Sequence, residues 1–149
     1  MILGGGGAAI SLALYVIEKL QKEKMKDAEI AMIGPEPRFG LDVNPSYIWR
    51  YRLRLKKANV HQLTFGRVKE ITAKTVVADW TTVDRKTKEK KKYKDQSIEI
   101  DTVILATLVP NKELTYGAST NDVSKIGDCL WVRRGIDAIQ DGFRLGMRF

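Results

Sequence analysis

The residues with the clearest capacity for chemistry stand at the start of the chain, in Met1-Ile2-Leu3-Gly4-Gly5-Gly6-Gly7-Ala8-Ala9-Ile10. Gly4, Gly6 and Ala9 fall on the three positions of the G-x-G-x-x-G/A pattern, with Gly5, Gly7 and Ala8 filling the gaps. Each position has a physical requirement. The first must turn a strand sharply into a helix, the second must let backbone approach a ligand, and the third must be small enough for helix and strand to pack closely. A turn of this kind presents free N–H groups and the positive end of a helix dipole to an anion. The expected ligand is the pyrophosphate of a dinucleotide.

Little else in the sequence could do chemistry unaided. No Ser/His/Asp set, no metal-ligand spacing and no paired carboxylates stand out, so neither catalytic nor metal-binding residues are assigned. The single histidine, His61, is expected on a strand, at the surface or half-buried. The single cysteine, Cys129, excludes an internal disulfide and any cysteine-rich cluster. As a redox thiol it has no second cysteine to resolve it. Trp49, Trp80 and Trp131 suit a core or an interface better than cofactor stacking. Any redox chemistry would therefore be a cofactor's own, with the protein supplying position and electrostatics.

The elements that must position the glycine turn can be read from periodicity. Met1–Leu3 is a short first strand. Residues 8–24 are helical, with Ile10, Leu14, Ile17 and Leu20 at helical spacing. Glu29–Ile33 is a second strand, and Gly34-Pro35-Glu36-Pro37-Arg38-Phe39-Gly40 must be a loop. Asn44 and Pro45 form an N-cap and N1 pair for a helix running to about Lys57. The segments 60–65, 68–71, 75–80 and 97–100 are expected to form a small antiparallel meander. Asp101–Ala106 is nearly all apolar, as a buried parallel strand requires. Lys125–Asp128 is a strand end, and a last helix from Gly135 to about Met147 aligns Ile136, Ile139, Phe143 and Met147 on one face. The expected fold is α/β, a Rossmann-like three-layer nucleotide-binding domain with a parallel sheet plus a small antiparallel β-meander.

Bulk properties narrow the partners. The chain has 149 residues, 44% hydrophobic and 30% charged, with a net charge of +8. The positive excess is local: Arg85, Lys86, Lys88, Lys90, Lys91, Lys92 and Lys94 crowd one segment, and Arg50, Arg52, Arg54, Lys56 and Lys57 another. Aromatic residues do not interleave the first run as a base-stacking platform needs, so it reads as a solvated hairpin tip, with no nucleic acid expected as partner. The apolar start lacks a basic n-region and a cleavage site, and no apolar run reaches the roughly 20 residues of a membrane span. A cytoplasmic setting without membrane contact is the expectation.

Three stretches carry a resemblance. They are Ile2–Leu14; Arg67-Val68-Lys69-Glu70-Ile71-Thr72 leading to Ile100–Ala106; and Ile126-Gly127-Asp128-Cys129 with Arg133-Arg134-Gly135-Ile136-Asp137-Ala138-Ile139-Gln140-Asp141-Gly142-Phe143-Arg144. Together they resemble the NAD(P)-binding region of old-yellow-enzyme-related flavoprotein reductases, such as 2,4-dienoyl-CoA reductase and trimethylamine dehydrogenase, within the pyridine nucleotide-disulphide oxidoreductase-like proteins. The resemblance covers nearly the whole chain. It implies an NAD(P)H site at Gly4–Ala9, Gly34, Glu36, Arg38 and Ala106 in residues 1–110. Residues 111–149 would close a flavin-binding-type domain, the two parts packing as one compact unit. Gly127 and Asp128 would then face FAD held largely by other polypeptide, with the last helix directing its N-terminus at the same cofactor.

The chain departs from the family pattern in several places. The flavin mononucleotide barrel, the cysteine cluster and the first half of the flavin domain are missing, so the chain is expected to be a fragment or a reduced remnant. Gly34 stands where an acidic residue usually meets the ribose, with Glu36 two residues on. Thr107-Leu108-Val109 replaces a glycine after the Asp101–Ala106 strand. Arg38 is open to two readings, a 2′-phosphate contact or a solvated loop residue. Asp128 is likewise either a cofactor contact or a turn aspartate. Two functions follow: an NAD(P)H-binding module of a flavin-dependent oxidoreductase that passes hydride to a flavin, or a cofactor-less remnant used for binding or assembly. The isolated chain is expected to be inactive alone and to use its C-terminal segment for self-association or for a flavin-bearing domain.

Overall fold

The computed structural model describes residues 1–25, 27–83, 87, 89–109 and 123–148. Two compact units make up the chain, Met1–Thr107 and Leu108–Phe149.

In the first unit, strand β1 (Ile2–Leu3) leads through the glycines into helix α1 (Gly7–Lys22), then β2 (Ala31–Ile33), α2 (Pro45–Lys57) and β3 (His61–Leu63). An antiparallel segment follows, β4 (Arg67–Ile71), β5 (Thr75–Val83) and β6 (Lys90–Glu99), before the chain returns as β7 (Ile104–Leu105). The four-stranded sheet has the order β3-β2-β1-β7 and all its pairs are parallel. The three-stranded sheet, β4-β5-β6, is antiparallel.

Strand alternation explains the layering. Successive strand residues face opposite sides of a sheet. Ile2 and Met32, paired in register, join Ile10, Ala13, Leu14, Ile17, Ile48 and Leu55 in a core under α1 and α2. Leu3 and Ile33, the next pair, join Val76 and Ala78 of the antiparallel sheet in a second core. Helices, parallel sheet and antiparallel sheet thus form three layers, the α/β Rossmann-like arrangement expected from the glycine turn and the βαβ order.

Several boundaries differ from expectation. The segment 60–65 is not part of the meander: its residues 61–63 pair parallel with β2, because α2 supplies a crossover that returns the chain to the same sheet. Lys90–Lys94 is not a hairpin tip but the start of β6, held in the ladder to β5 and anchored by Tyr93 stacked on Trp80 at 5.1 Å. Lysines on such an edge strand discourage pairing with other chains. Arg85, Lys86 and Lys88 of the same run lie outside the described residues. Asp79 sits at a register shift in β5, where its carboxylate accepts the Asp95 N–H at 2.7 Å and meets Lys69 Nζ at 2.9 Å. The lysine bond holds that carboxyl below its ordinary range.

Helix α2 starts where the Asn44-Pro45 pair places it. The Asn44 side chain accepts the Ser46 N–H at 2.9 Å, and Pro45 fills the first helical position. Asn44→Ala should lower the stability of this unit by about 1 kcal/mol, read as a shifted denaturant midpoint with an unchanged slope. An unshifted midpoint would show that the cap contributes nothing.

In the second unit, Gly127–Cys129 forms a 3-10 turn rather than the expected strand end, and α3 spans Gly135–Gly146. Gly127 has φ +62, a conformation that lets the chain coil there instead of extending. Residues 110–122 lie outside the described residues.

Candidate dinucleotide site at the glycine turn

The strand order places β1 between β2 and β7, so the chain leaves the sheet in opposite senses on the two sides of β1. Ligands of open α/β sheets bind at the carboxyl ends of strands beside such a reversal. The glycine turn lies there. Gly4 has φ +142, and its N–H donates to the Ile33 carbonyl at 2.8 Å. An added Cβ would lie 2.7 Å from the Ala106 carbonyl oxygen and 3.3 Å from the Ala9 Cβ. The first glycine therefore lets β7 close against the turn, and Ala9, fully buried, lets α1 pack on it. Ala106 is fixed in turn by its N–H, which donates to the Leu3 carbonyl at 2.8 Å. Thr107 Oγ1 donates to that carbonyl at 3.3 Å.

Gly5, Gly34 and Glu36 come together. A Cβ at either glycine would meet Glu36 Oε2 at 2.4 Å, and one at Gly5 would also meet the Phe39 ring at 2.5 Å. Glu36 Oε2 is buried, with no hydrogen-bond partner among the described residues. The carboxylate absent from position 34 is thus delivered to the same turn from two residues on. The loop is held by backbone bonds: Phe65 N–H to the Glu36 carbonyl at 3.1 Å, Gly66 N–H to the Gly34 carbonyl at 2.7 Å, and Gly40 N–H to the Gly5 carbonyl at 2.7 Å. Arg38 is exposed.

Gly6 and Gly7 face a residue that sequence reasoning missed. Both carboxylate oxygens of Asp42 accept the Gly7 N–H, at 3.0 and 2.9 Å, and a Cβ on Gly6 would meet Asp42 Oδ2 at 3.0 Å. Helix α1 has no acidic residue in its own first turn, so Asp42 supplies the negative charge at its N-terminus. The only signal in the sequence is an aspartate just ahead of the Asn44 cap, which reads as ordinary loop polarity. Among the described residues, the Ala8 and Ala9 N–H groups have no acceptor. The turn thus fits a dinucleotide pyrophosphate in its bare backbone and spare donors, and opposes it with two carboxylates.

The second unit holds the other assigned residues. The Gly127 N–H donates to Asp141 Oδ2 at 3.2 Å, and Arg133 pairs with the same carboxylate. Asp128 Oδ1 accepts the Arg133 N–H at 3.3 Å. At the start of α3, Asp137 accepts from Arg134 N at 3.2 Å and Arg134 Nε at 3.3 Å, and the arginine bond holds its carboxyl below the ordinary range. The Cys129 thiol is half-buried and donates to the Ile126 carbonyl at 2.9 Å. Trp49 and Trp131 are exposed, and Trp80 packs against Tyr93.

A cavity of about 740 Å³ opens at the amino ends of the parallel strands, away from the glycine turn, between Met1, Ile30, His61, Trp80 and Ile100. His61, exposed on β3, meets this cavity and not the turn. Burial of the Met1 amine there lowers its pKa, with Asp101 acting in the opposite direction. Among the described residues no cluster of three or more His, Cys, Asp or Glu could hold a metal ion. No helix among them is long and apolar enough to cross a membrane.

No protein-family model matches the sequence, and no curated protein matches it significantly. Solved structures do share the fold. The chain is similar to a 2-naphthoyl-CoA reductase in complex with 2-naphthoyl-CoA, with a TM-score of 0.62 and 24% identity over 99% of this chain and 20% of that one. It is similar to the 6-hydroxypseudooxynicotine amine oxidase of Pseudomonas geniculata N1, with a TM-score of 0.60 and 16% identity over 99% of this chain and 21% of the other. A histamine dehydrogenase from Rhizobium sp. 4-9 gives a TM-score of 0.57 and 15% identity over 99% and 22%. The chain therefore spans about a fifth of the length of each of these proteins. At these identities the likeness establishes the fold.

Proposed function

We propose that the chain is the NAD(P)H-binding module of a flavin-dependent oxidoreductase. The observation that carries this reading is the Gly4 turn. A glycine at φ +142, against the Ala106 carbonyl, delivers bare backbone and two spare N–H donors to the carboxyl end of β1. The fold neighbours, a reductase, an amine oxidase and a dehydrogenase by name, support the redox assignment.

In this reading the pyrophosphate faces Gly5–Ala9, with Ala106 closing the turn. Glu36 meets the adenosine ribose hydroxyls, and its unpartnered oxygen gains the hydrogen bonds it lacks. Arg38, in the same loop, is the candidate for a 2′-phosphate. The nicotinamide supplies hydride when bound, and a flavin carried mostly by other polypeptide receives it, with Gly127 and Asp128 on the flavin side. The chain's own contribution is to position the donor.

Calorimetry with NADH and NADPH tests the assignment. Binding of at least one at millimolar concentration or below is expected. Tighter NADPH binding, lost in Arg38→Ala, would assign the 2′-phosphate contact. Mixed with either nucleotide and an artificial acceptor, the chain alone should give no reduction above background. Failure of both nucleotides to bind at millimolar concentration would overturn the module reading for this chain.

The second reading, a cofactor-less binding or assembly module, is favoured by one observation. Asp42 and Glu36 place two carboxylates on the turn that a pyrophosphate would approach.

A further inference from the structure

The Asp42 contact has the form of a bound ligand. A helix N-terminus attracts an anion because its first N–H groups point outward unpaired and the dipole adds partial positive charge. Here the Gly7 N–H is held between two oxygens of one carboxylate, at 3.0 and 2.9 Å. The same carboxylate lies where a Gly6 side chain would begin, 3.0 Å from the position of a Cβ. A pyrophosphate seated on this turn needs the same donor and the same bare surface.

The arm that carries Asp42 is rooted in the core, and Asp42 itself stands at its exposed part. The root is Gly40, whose N–H donates to the Gly5 carbonyl at 2.7 Å. Gly40 has φ +75, and a Cβ there would lie 2.3 Å from Ile48 Cδ1 and 2.7 Å from Ile10 Cδ1. The root is therefore fixed in the core between the two helices. The Val43 N–H returns to the Gly40 carbonyl at 3.3 Å, and the Asn44 cap starts α2 directly afterwards. Between root and cap, Leu41 is exposed and Asp42 is exposed. Turning the Asp42 side chain away breaks one shared hydrogen bond, while Val43 beside it stays packed against the core.

We infer that Asp42 is an internal competitor for the anion of the ligand: its carboxylate occupies the N-terminus of α1 and must leave before a pyrophosphate can bind. This inference rests on the dinucleotide reading of the turn and adds to it the residue that sets the affinity. The competition favours a ligand with several acceptor oxygens and more than one negative charge, because it must outbid a carboxylate for Gly7 and then engage Ala8 and Ala9 as well. A ligand anion arriving with Asp42 still in place would meet like charge at hydrogen-bond range, an unfavourable arrangement.

The 149-residue chain and its Asp42→Asn and Asp42→Ala variants provide the test, with inorganic pyrophosphate as the probe and the Gly7 amide resonance as a local reporter. Loss of the carboxylate should shift the Gly7 amide without any ligand present. Both variants should bind pyrophosphate about tenfold more tightly than the parent chain or better, with Gly7 among the amides that move. An unshifted Gly7 amide, or pyrophosphate affinity equal to or weaker than that of the parent, would overturn the gate. The dinucleotide reading fails separately. If the variants bind pyrophosphate tightly but neither NADH nor NADPH, the gate stands and that reading falls. If parent and variants bind NADH equally well, the reading stands and the gate falls.

Discussion

Gly4→Ala should strongly destabilise the first unit. The backbone at Gly4 has φ +142, which L side chains rarely adopt, and the new Cβ would lie 2.7 Å from the Ala106 carbonyl oxygen. The obstacle is backbone in a neighbouring strand, so no rotamer change relieves it. Strain at such a φ costs about 1–3 kcal/mol and overpacking a similar amount, giving a loss of roughly 2–6 kcal/mol. For a chain of this size that corresponds to a fall in melting temperature of roughly 4–24 °C. Gly7→Ala is the internal control. A Cβ there would be 3.1 Å from Val43 Cγ2 and 3.4 Å from Asp42 Oδ2, contacts at flexible side-chain ends. Alanine also suits a first helical turn, so a change within about 1 kcal/mol is expected. Thermal melts of the two variants check both values. A Gly4→Ala melt that coincides with the parent's would remove the stated reason for glycine at the turn.

The C-terminal helix should control the state of association. Ile136, Ile139, Phe143 and Met147 are 51%, 69%, 70% and 72% exposed, although their spacing puts them on one face of the segment 136–147. Leu130 and Trp131, just before it, are exposed as well. No residue of α3 is buried. A contiguous apolar stripe of this kind marks an interface, and we expect the isolated chain to self-associate through it or to require a flavin-bearing partner there. In the double variant Ile139→Asp with Phe143→Asp, the lost burial is about 3–6 kcal/mol, two to four powers of ten in the dissociation constant. Light scattering should give the parent a mass above 16.8 kDa that rises with concentration, and the variant 16.8 kDa throughout. A parent chain that stays monodisperse at 16.8 kDa would refute self-association.

The sequence alone determined the parts of this molecule whose causes are local. The alternation of short apolar strands with helix-period segments sets a parallel α/β layer, because parallel neighbours need a long crossover connection, which such helices supply between β1, β2 and β3. Consecutive glycines between Leu3 and Ala8 set a tight strand-to-helix turn, and Asn44-Pro45 sets the start of α2. Ile48 and Leu55 are buried as their spacing implies. The apolar stripe of α3 was legible as well, since periodicity needs only the sequence.

Tertiary structure decided what depends on residues distant along the chain. The segment 61–63 joined the parallel sheet rather than the meander, because β2 offered an open edge beside it. The lysines of β6 became strand because Trp80 and the β5 ladder hold them there, against a composition that favours a solvated loop. Glu36 and Asp42 reached the glycine turn by folding back across 31 and 35 positions, respectively, from Gly5 and Gly7. Motif spacing describes a site's backbone well, because that backbone is contiguous. It says nothing of which side chain folds back to fill the site, because that is set by the path of a loop and by the packing of Gly40 between Ile10 and Ile48. The glycine turn was therefore written in the sequence, and the carboxylate resting in it was not.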